Sequence, residues 1–256
     1  MTQRVLFVRH GKQVSSGDRH TALDEVDPLL AATGAEQAEA LAARLVQDLY
    51  PKRAESVLLV SSPMRRALGT AAPTARALGC SVVVHGAMYE FACCGRDRPG
   101  TTATEVRATW TALGSSDERT LPDCSCAGFA IDRWDYRGSS AAETEAEARL
   151  RGTRIVQWLQ DIVHAPEAAA VVVVVAHQTL LDLVMQLLLE PHRRGADWRY
   201  GGARHKFGHT GVAELRPGKT RRDEAWSLVH AADISHCSAS YPCSAGGQKL
   251  VFYSPH

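Results

Sequence analysis

The sequence predicts a three-layer α/β/α fold with a mostly parallel central sheet and an inserted cap segment. Three observations predict it: short apolar runs at residues 5–8, 57–60 and 171–175, helical patterns between these runs, and a polar or glycine-containing break after each run. A strand that is buried on both faces of a parallel sheet reads as a continuous apolar run. Alternation of such strands with helices is typical of a sheet covered on both faces.

The first apolar run ends in three residues whose chemistry suits an anion: Arg9, His10 and Gly11. Ligands of open α/β sheets bind at the carboxyl ends of strands. An arginine offers planar donors for phosphate or carboxylate, and a neutral histidine is a nucleophile or base near pH 7. Gly11 allows close approach of the backbone to a ligand. The alternative interpretation is an ordinary strand end with a surface arginine and a turn glycine.

The second run leads into a predicted helix that carries two arginines in its first turn. We expect Ser62 to be its N-cap, Pro63 its first residue and Leu78 its approximate end. The free N–H groups at its start, together with Arg65 and Arg66, would form an anion site. The alternative is a pair of surface arginines.

Two further strand ends carry titratable groups. The most apolar run, residues 171–175, which we place centrally in the sheet, is followed by His177 and Gln178. A third strand at residues 81–84 precedes Glu90, which stands between two aromatic residues and is a candidate general acid. The alternatives are a core histidine with satisfied hydrogen bonds and a surface glutamate.

Helical spacing marks further elements. One helix is predicted from apolar residues that share a face, namely Ala38, Leu41, Ala42, Leu45 and Leu49. A capping box at Ser140 and Glu143 predicts the start of another helix. We interpret residues 1–256 as a single domain and residues 93–140, which contain one short helix near 104–113, as a cap inserted into it.

Composition limits the classes of function. The 29 basic and 28 acidic residues give a net charge of +1, which argues against binding to nucleic acid or a membrane surface. No signal peptide or apolar run long enough to span a membrane is visible, which favours a cytoplasmic location. The seven cysteines are expected to be reduced, and their spacing lacks the paired pattern of a structural zinc site, so we expect no metal.

Taken together, these residues resemble the histidine phosphatase superfamily, also called phosphoglycerate-mutase-like. The resemblance rests on a constellation in one chain order: Arg9-His10-Gly11, then Asp27-x-x-Leu30-x-x-x-Gly34-x-x-Gln37-Ala38, then Ser62-Pro63-x-Arg65-Arg66-Ala67-x-x-Thr70-Ala71, then Glu90, and last His177 after an apolar strand. It covers most of the chain.

The resemblance implies a role for each matching residue. His10 would be the nucleophile that takes the phosphoryl group, with Arg9, Arg66 and His177 holding the phosphate oxygens. Glu90 stands at the position of the proton donor, with Glu143 or Asp97 as other candidates. We add Gly11, Lys12 and Gln178 as substrate-binding candidates. The scheme implies a small-molecule phosphate ester as partner and no cofactor.

The departures from the family pattern favour a phosphatase over a mutase. Lys12, Gln13 and Ser16 replace the Glu, Ser and Asn of the mutase branch, and Gln178 replaces a common glycine. Lys12 adds a cation, which suggests a substrate with a second anionic group. A cofactor-dependent phosphoglycerate mutase and a non-catalytic phospho-ligand or protein-docking module are the alternatives. The substrate and the oligomeric state, a dimer included, stay open.

Overall fold

The computed structural model describes residues 3–18, 27–49, 56–93, 100–114, 120–124, 129–130, 133–134, 142–193, 198–200, 202–220 and 226–237. Seven strands form its main sheet: β1 (Arg4–Arg9), β2 (Val57–Ser61), β3 (Val82–Val84), β4 (Pro122–Asp123), β7 (Val171–Ala176), β8 (Val212–Arg216) and β9 (Ser227–Asp233). Strands β5 (Phe129–Ala130) and β6 (Arg133–Trp134) form a separate pair.

The sheet is parallel over most of its width. Its order is β4-β3-β2-β7-β1-β8-β9, and only β8 and β9 run antiparallel to their neighbours. Strand β7 occupies the middle position and is buried along its whole length, which confirms the placement predicted from its valines. Because β1 and β2 flank β7 in parallel, the carboxyl ends of all three strands meet at one edge.

Five helices cover the two faces of the sheet: α1 (Ala32–Leu49), α2 (Arg65–Leu78), α3 (Ala103–Ala112), α4 (Glu145–Val163) and α5 (Gln178–Leu189). Successive side chains of a strand point to opposite faces. Leu6 and Val8 of β1 accordingly share a core with α1 and α2, whereas Val5 and Phe7 share one with α4 and α5. The predicted three-layer α/β/α architecture is confirmed.

Two predicted helix starts are wrong. Helix α2 begins at Arg65 with Met64 as N-cap, because the hydroxyl of Ser62 is bound to His177. The capping box of α4 is formed by Thr144 and Glu147. Glu143 cannot fill that role because its carboxylate pairs with Arg151, and Ser140 lies outside the described residues.

The structure describes only part of the predicted cap, residues 93–140. Helix α3 confirms the short helix, and its Val106 and Trp110 belong to the same core as α2. The rest of residues 93–140 is mostly outside the described ranges, so the cap and the single-domain boundaries stay predictions.

Cys237 is disulfide-bonded, which corrects the expectation of reduced thiols at that position. No helix in the described ranges has the length and apolar character of a bilayer span.

Candidate active site

Two histidines meet where the central strands end. The backbone N–H of His10 donates to the carbonyl of Ala176 at 2.9 Å, which ties the end of β1 to the end of β7. The ring centroids of His10 and His177 are 5.1 Å apart. Both rings are buried, at 5% and 0% exposure. The predicted convergence of the two imidazoles is therefore present in the structure.

His10 is held in one orientation by its neighbours. Its Nδ1 lies 2.7 Å from the carbonyl oxygen of Gly11, and because a carbonyl only accepts, Nδ1 carries the proton. Its Nε2 accepts a hydrogen bond from Nε of Arg66 at 3.3 Å. Burial, followed by the charges of Arg66 and Arg9, holds the pKa of His10 well below its usual range. The ring is therefore neutral at pH 7, with its lone pair on Nε2.

Arg66 stands in the first turn of α2, next to a buried carboxylate. Its Nη1 lies 3.3 Å from Oδ1 of Asp27, and both side chains are nearly inaccessible. Asp27 also accepts the N–H of Arg65 with both carboxylate oxygens at 3.0 Å. Asp27 thus fixes the start of α2 and the guanidinium together. Sequence reasoning gave Asp27 no role, although it begins one of the motifs.

His177 is held through Ser62. Its Nε2 lies 2.7 Å from Oγ of Ser62, which also accepts the N–H of Met64 at 3.2 Å. Since that hydroxyl accepts from Met64, it can donate to Nε2, which leaves the ring proton on Nδ1. Among the described residues Nδ1 is buried without a hydrogen-bond partner. Burial, followed by Arg66 and His10, holds the pKa of His177 well below its usual range.

Arg9 is anchored by a loop that α5 holds in place. Its Nη1 donates to the carbonyl of Phe207 at 2.8 Å. Gln178 accepts the N–H of Phe207 at 2.7 Å and donates to the carbonyl of His205 at 2.8 Å. The pKa of Arg9 is lowered, mainly by burial. The negative charge of Glu90 opposes this effect, and the positive charge of Arg66 adds to it. Gln178 therefore positions the loop that orients Arg9, and its predicted contact with substrate stays untested.

Gly11 occupies a backbone crossing with no room for a side chain. Its N–H donates to Oγ1 of Thr70 at 2.9 Å, and that hydroxyl donates to the carbonyl of Arg66 at 2.8 Å. A Cβ at Gly11 would lie 2.6 Å from the carbonyl oxygen of Gly34. The glycine therefore lets the loop after β1 pack onto α1 and α2. The next residue, Lys12, has an exposed side chain.

Glu90 reaches the start of α5 and contacts polar groups there. One carboxylate oxygen accepts the N–H of Leu180 at 3.1 Å and that of Phe91 at 2.8 Å, and the other accepts the N–H of Thr179 at 3.1 Å. A carboxylate at a helix N-terminus is favoured by the helix dipole. The carboxylate of Glu90 is therefore bound by backbone N–H groups, of which one belongs to its aromatic neighbour Phe91. Its role as proton donor stays a prediction.

A buried ion pair supports the loop that carries Glu90. Nε and Nη2 of Arg151 each lie 2.6 Å from a carboxylate oxygen of Glu143. Arg151 also donates to the carbonyls of Ala87 and Tyr89 at 2.8 and 2.9 Å, and its guanidinium lies 3.9 Å from the Tyr89 ring centre. Sequence reasoning missed this pair. Glu143 is therefore engaged as a structural partner.

The arrangement as a whole has the chemistry that binding an anion requires. The guanidinium groups of Arg9 and Arg66 lie close enough to the paired histidine rings for their charges to act on His10, and the carboxylates of Asp27 and Glu90 are beside them. No group of three metal-ligating side chains is found in the described parts of the chain. Asp97, the other alternative proton donor, lies outside those parts. Such a cluster can bind a phosphate group and stabilise charge on its oxygens.

The family follows from a match over most of the chain. A model of the histidine phosphatase superfamily (branch 1) matches residues 5–205. The protein therefore belongs to the histidine phosphatase superfamily. A search of curated proteins found no significant match.

Solved structures share the fold at low identity. A mycobacterial glucosyl-3-phosphoglycerate phosphatase is 22% identical with a TM-score of 0.52, covering 91% of this chain and 99% of its own. A protein described as a putative alpha-ribazole-5'-P phosphatase from Escherichia coli is 15% identical with a TM-score of 0.56, covering 91% of this chain and 97% of its own. At this level of identity the similarity shows the fold alone.

Proposed function

We propose that the protein is a phosphatase that hydrolyses a small phosphorylated metabolite through a phosphohistidine on His10. The observation that carries the proposal is the state of the His10 ring. Its Nδ1 proton is bound to Gly11, and its Nε2 lone pair lies beside Arg66, close to His177. Membership of the histidine phosphatase superfamily supports the same chemistry.

In the first step Nε2 of His10 attacks phosphorus, and the ester P–O bond breaks. Arg9, Arg66 and the Nδ1–H of His177 stabilise the charge on the three phosphoryl oxygens. The leaving alkoxide takes a proton from Glu90, which we propose as the donor. The products of this step are the free alcohol and a phosphorylated His10.

In the second step a water molecule attacks the phosphorylated histidine. Glu90, now ionised, takes a proton from the water as the P–N bond breaks. The electron pair returns to Nε2, inorganic phosphate leaves, and both His10 and Glu90 regain their starting states. Two steps with a covalent intermediate replace one difficult direct displacement.

A turnover screen over phosphorylated metabolites and p-nitrophenyl phosphate tests the proposal, with His10→Ala beside the wild type. We expect the variant to lose turnover by about 10⁴-fold or more, because no nucleophile remains. His192→Ala, an exposed histidine beyond the far end of α5, is the matched control. Near-normal rates in His10→Ala would overturn the mechanism.

A trapping experiment separates the proposal from its alternatives. Rapid quenching with ³²P-labelled substrate is expected to give an acid-labile phosphohistidine in the wild type and none in His10→Ala. Failure to trap any label, together with absent turnover, would favour a non-catalytic phospho-ligand module. Interconversion of phosphoglycerates that depends on bisphosphoglycerate in a coupled assay would favour the mutase instead.

A further inference from the structure

We propose that His209 and Lys12 form a second subsite, which binds an anionic group of the substrate other than the phosphate being transferred. The inference rests on the proposed function, since it concerns the same cleft. It names the substrate class as phosphomonoesters that carry a carboxylate or a second phosphate.

His209 lies beside the nucleophile with its ring uncommitted. Its ring centroid is 6.2 Å from that of His10, at an interplanar angle of 54°. The side chain is half-buried, and within the described residues its ring nitrogens make no hydrogen bond. In contrast, Arg9, Arg66 and His177 are each held by a hydrogen bond to a neighbour. His209 is therefore available to a ligand at the edge of the phosphate site.

The backbone around His209 is held in a strained conformation. Thr210 has φ of 55°, in the left-handed region that β-branched residues rarely adopt. Its N–H donates to the carbonyl of Arg9 at 3.0 Å, and its Oγ1 lies 2.9 Å from Nε2 of His236. The N–H of Arg9 donates to Gly211 at 3.2 Å. These hydrogen bonds fix His209 against the end of β1. Strained backbone that is held by its surroundings in this way clusters at functional sites.

The charges around His209 favour an anion. Burial, followed by the charges of Arg9 and Lys12, lowers the pKa of His209 to about 4, so the ring is neutral at pH 7. Among the described residues, the charges of Arg9 and Lys12 act on it, and the neutral ring of His10 lies beside it. Arg9 serves the transferred phosphate, whereas the side chain of Lys12 is exposed and near enough for its charge to act on His209. An anion between Lys12 and an N–H of His209 would offset the repulsion among these groups.

The test compares matched pairs of substrates. Each pair differs in one anionic group: 3-phosphoglycerate against glycerol 3-phosphate, and glucose 1,6-bisphosphate against glucose 6-phosphate. The variants are His209→Ala, Lys12→Met and the double variant. Their controls are His192→Ala and Lys219→Met, because both residues are exposed and lie away from the carboxyl edge of the sheet.

We expect each single variant to lower the ratio of kcat/KM within at least one pair by roughly tenfold, the effect of one charge-assisted hydrogen bond. In the double variant we expect the ratio of kcat/KM to fall by less than the product of the two single-variant reductions, because both residues bind the same group. Unchanged ratios in both pairs would overturn the subsite. Equal losses on both members of each pair would also overturn it, since His209 would then contact the transferred phosphate.

A binding measurement keeps this test independent of catalysis. Calorimetric titration of the His10→Ala protein with the same four ligands gives the ratio of dissociation constants without turnover. If the wild type hydrolyses neither these ligands nor any other phosphate ester of the metabolite screen, the proposed function fails, while a binding ratio that depends on His209 still supports the subsite. A binding ratio that is the same with and without His209 rejects the subsite whatever the turnover.

Discussion

Nε of Arg66 donates to Nε2 of His10 across 3.3 Å, while Nη1 of the same guanidinium contacts Asp27. One arginine thus joins the buried ring of His10 to a buried carboxylate. Its charge is also the largest cause, after burial, that lowers the pKa of His10. Replacing Arg66 should therefore change both the activity and the pKa of His10, and separate experiments can measure the two changes.

We expect Arg66→Ala and Arg66→Lys each to lower kcat/KM by about 10²–10³-fold, because an ammonium group cannot reproduce the planar set of donors. In Arg66→Ala the pKa of His10 is expected to rise, since a neighbouring positive charge is gone. Steady-state kinetics and an NMR titration of the imidazole check both effects. Arg65→Lys is the control, and an equal loss in that variant would show that the wrong arginine has been assigned.

We expect Glu90→Gln to lower kcat for alkyl phosphates far more than for p-nitrophenyl phosphate, because an activated leaving group needs no proton. The amide also weakens the cap of α5, and we expect a loss of about 0.5–2 kcal/mol in unfolding free energy. Turnover across a series of leaving groups and urea unfolding measure the two effects. The control is Glu105→Gln, in the capping box of α3. Equal losses on alkyl and aryl substrates would point to another donor.

We expect Gly11→Ala to destabilise the fold by about 1–3 kcal/mol and to lower activity, because overpacking must be relieved by backbone movement. The added Cβ would lie 2.6 Å from the carbonyl oxygen of Gly34. Gly17→Ala is the matched control, since nothing lies within 4 Å of its Cβ position. It is expected to change stability by less than about 0.5 kcal/mol. Equal melting temperatures for the two variants would contradict the close packing.

Stability is expected to fall on acidification, in part through His85. Burial lowers the pKa of His85 from 6.5 to about 4, so the folded protein keeps this ring neutral where the unfolded chain protonates it. Its contribution to stability is therefore complete above pH 6.5 and is lost as the pH falls toward 4. The difference corresponds to roughly 3 kcal/mol at the acid end.

His85→Phe tests this because the ring contact with Trp158, at 4.6 Å between centroids, can be kept while the titrating group is removed. The free energy of unfolding is measured with urea at several pH values between 7 and 4. In His85→Phe we expect it to change less steeply with pH than in the wild type, by up to about 1.4 kcal/mol per pH unit. The variant also loses the hydrogen bond from Ala87, so its stability at pH 7 is compared separately. An unchanged slope would mean that His85 does not titrate on unfolding.

The sequence by itself determined the strands of the core sheet and the chemistry at their ends. Apolar runs identify buried strands, and parallel strands place their last residues at one edge, so His10, Arg66 and His177 were expected to meet. Local patterns also predicted the end of α2 near Leu78, and the residue after it, Gly79, has a φ of 61° that suits a glycine. These features depend on neighbours in the chain or on the geometry common to all parallel sheets.

Only the tertiary structure decided which partner each polar side chain takes. Ser62 binds His177 and does not cap α2, Glu90 caps α5, and Gln178 holds the loop of Phe207. Arg151 joins Glu143 to carbonyls 62 and 64 residues away. Such contacts have no local signature, because hydrogen bonds between distant segments depend on how the helices and loops pack once the sheet has formed.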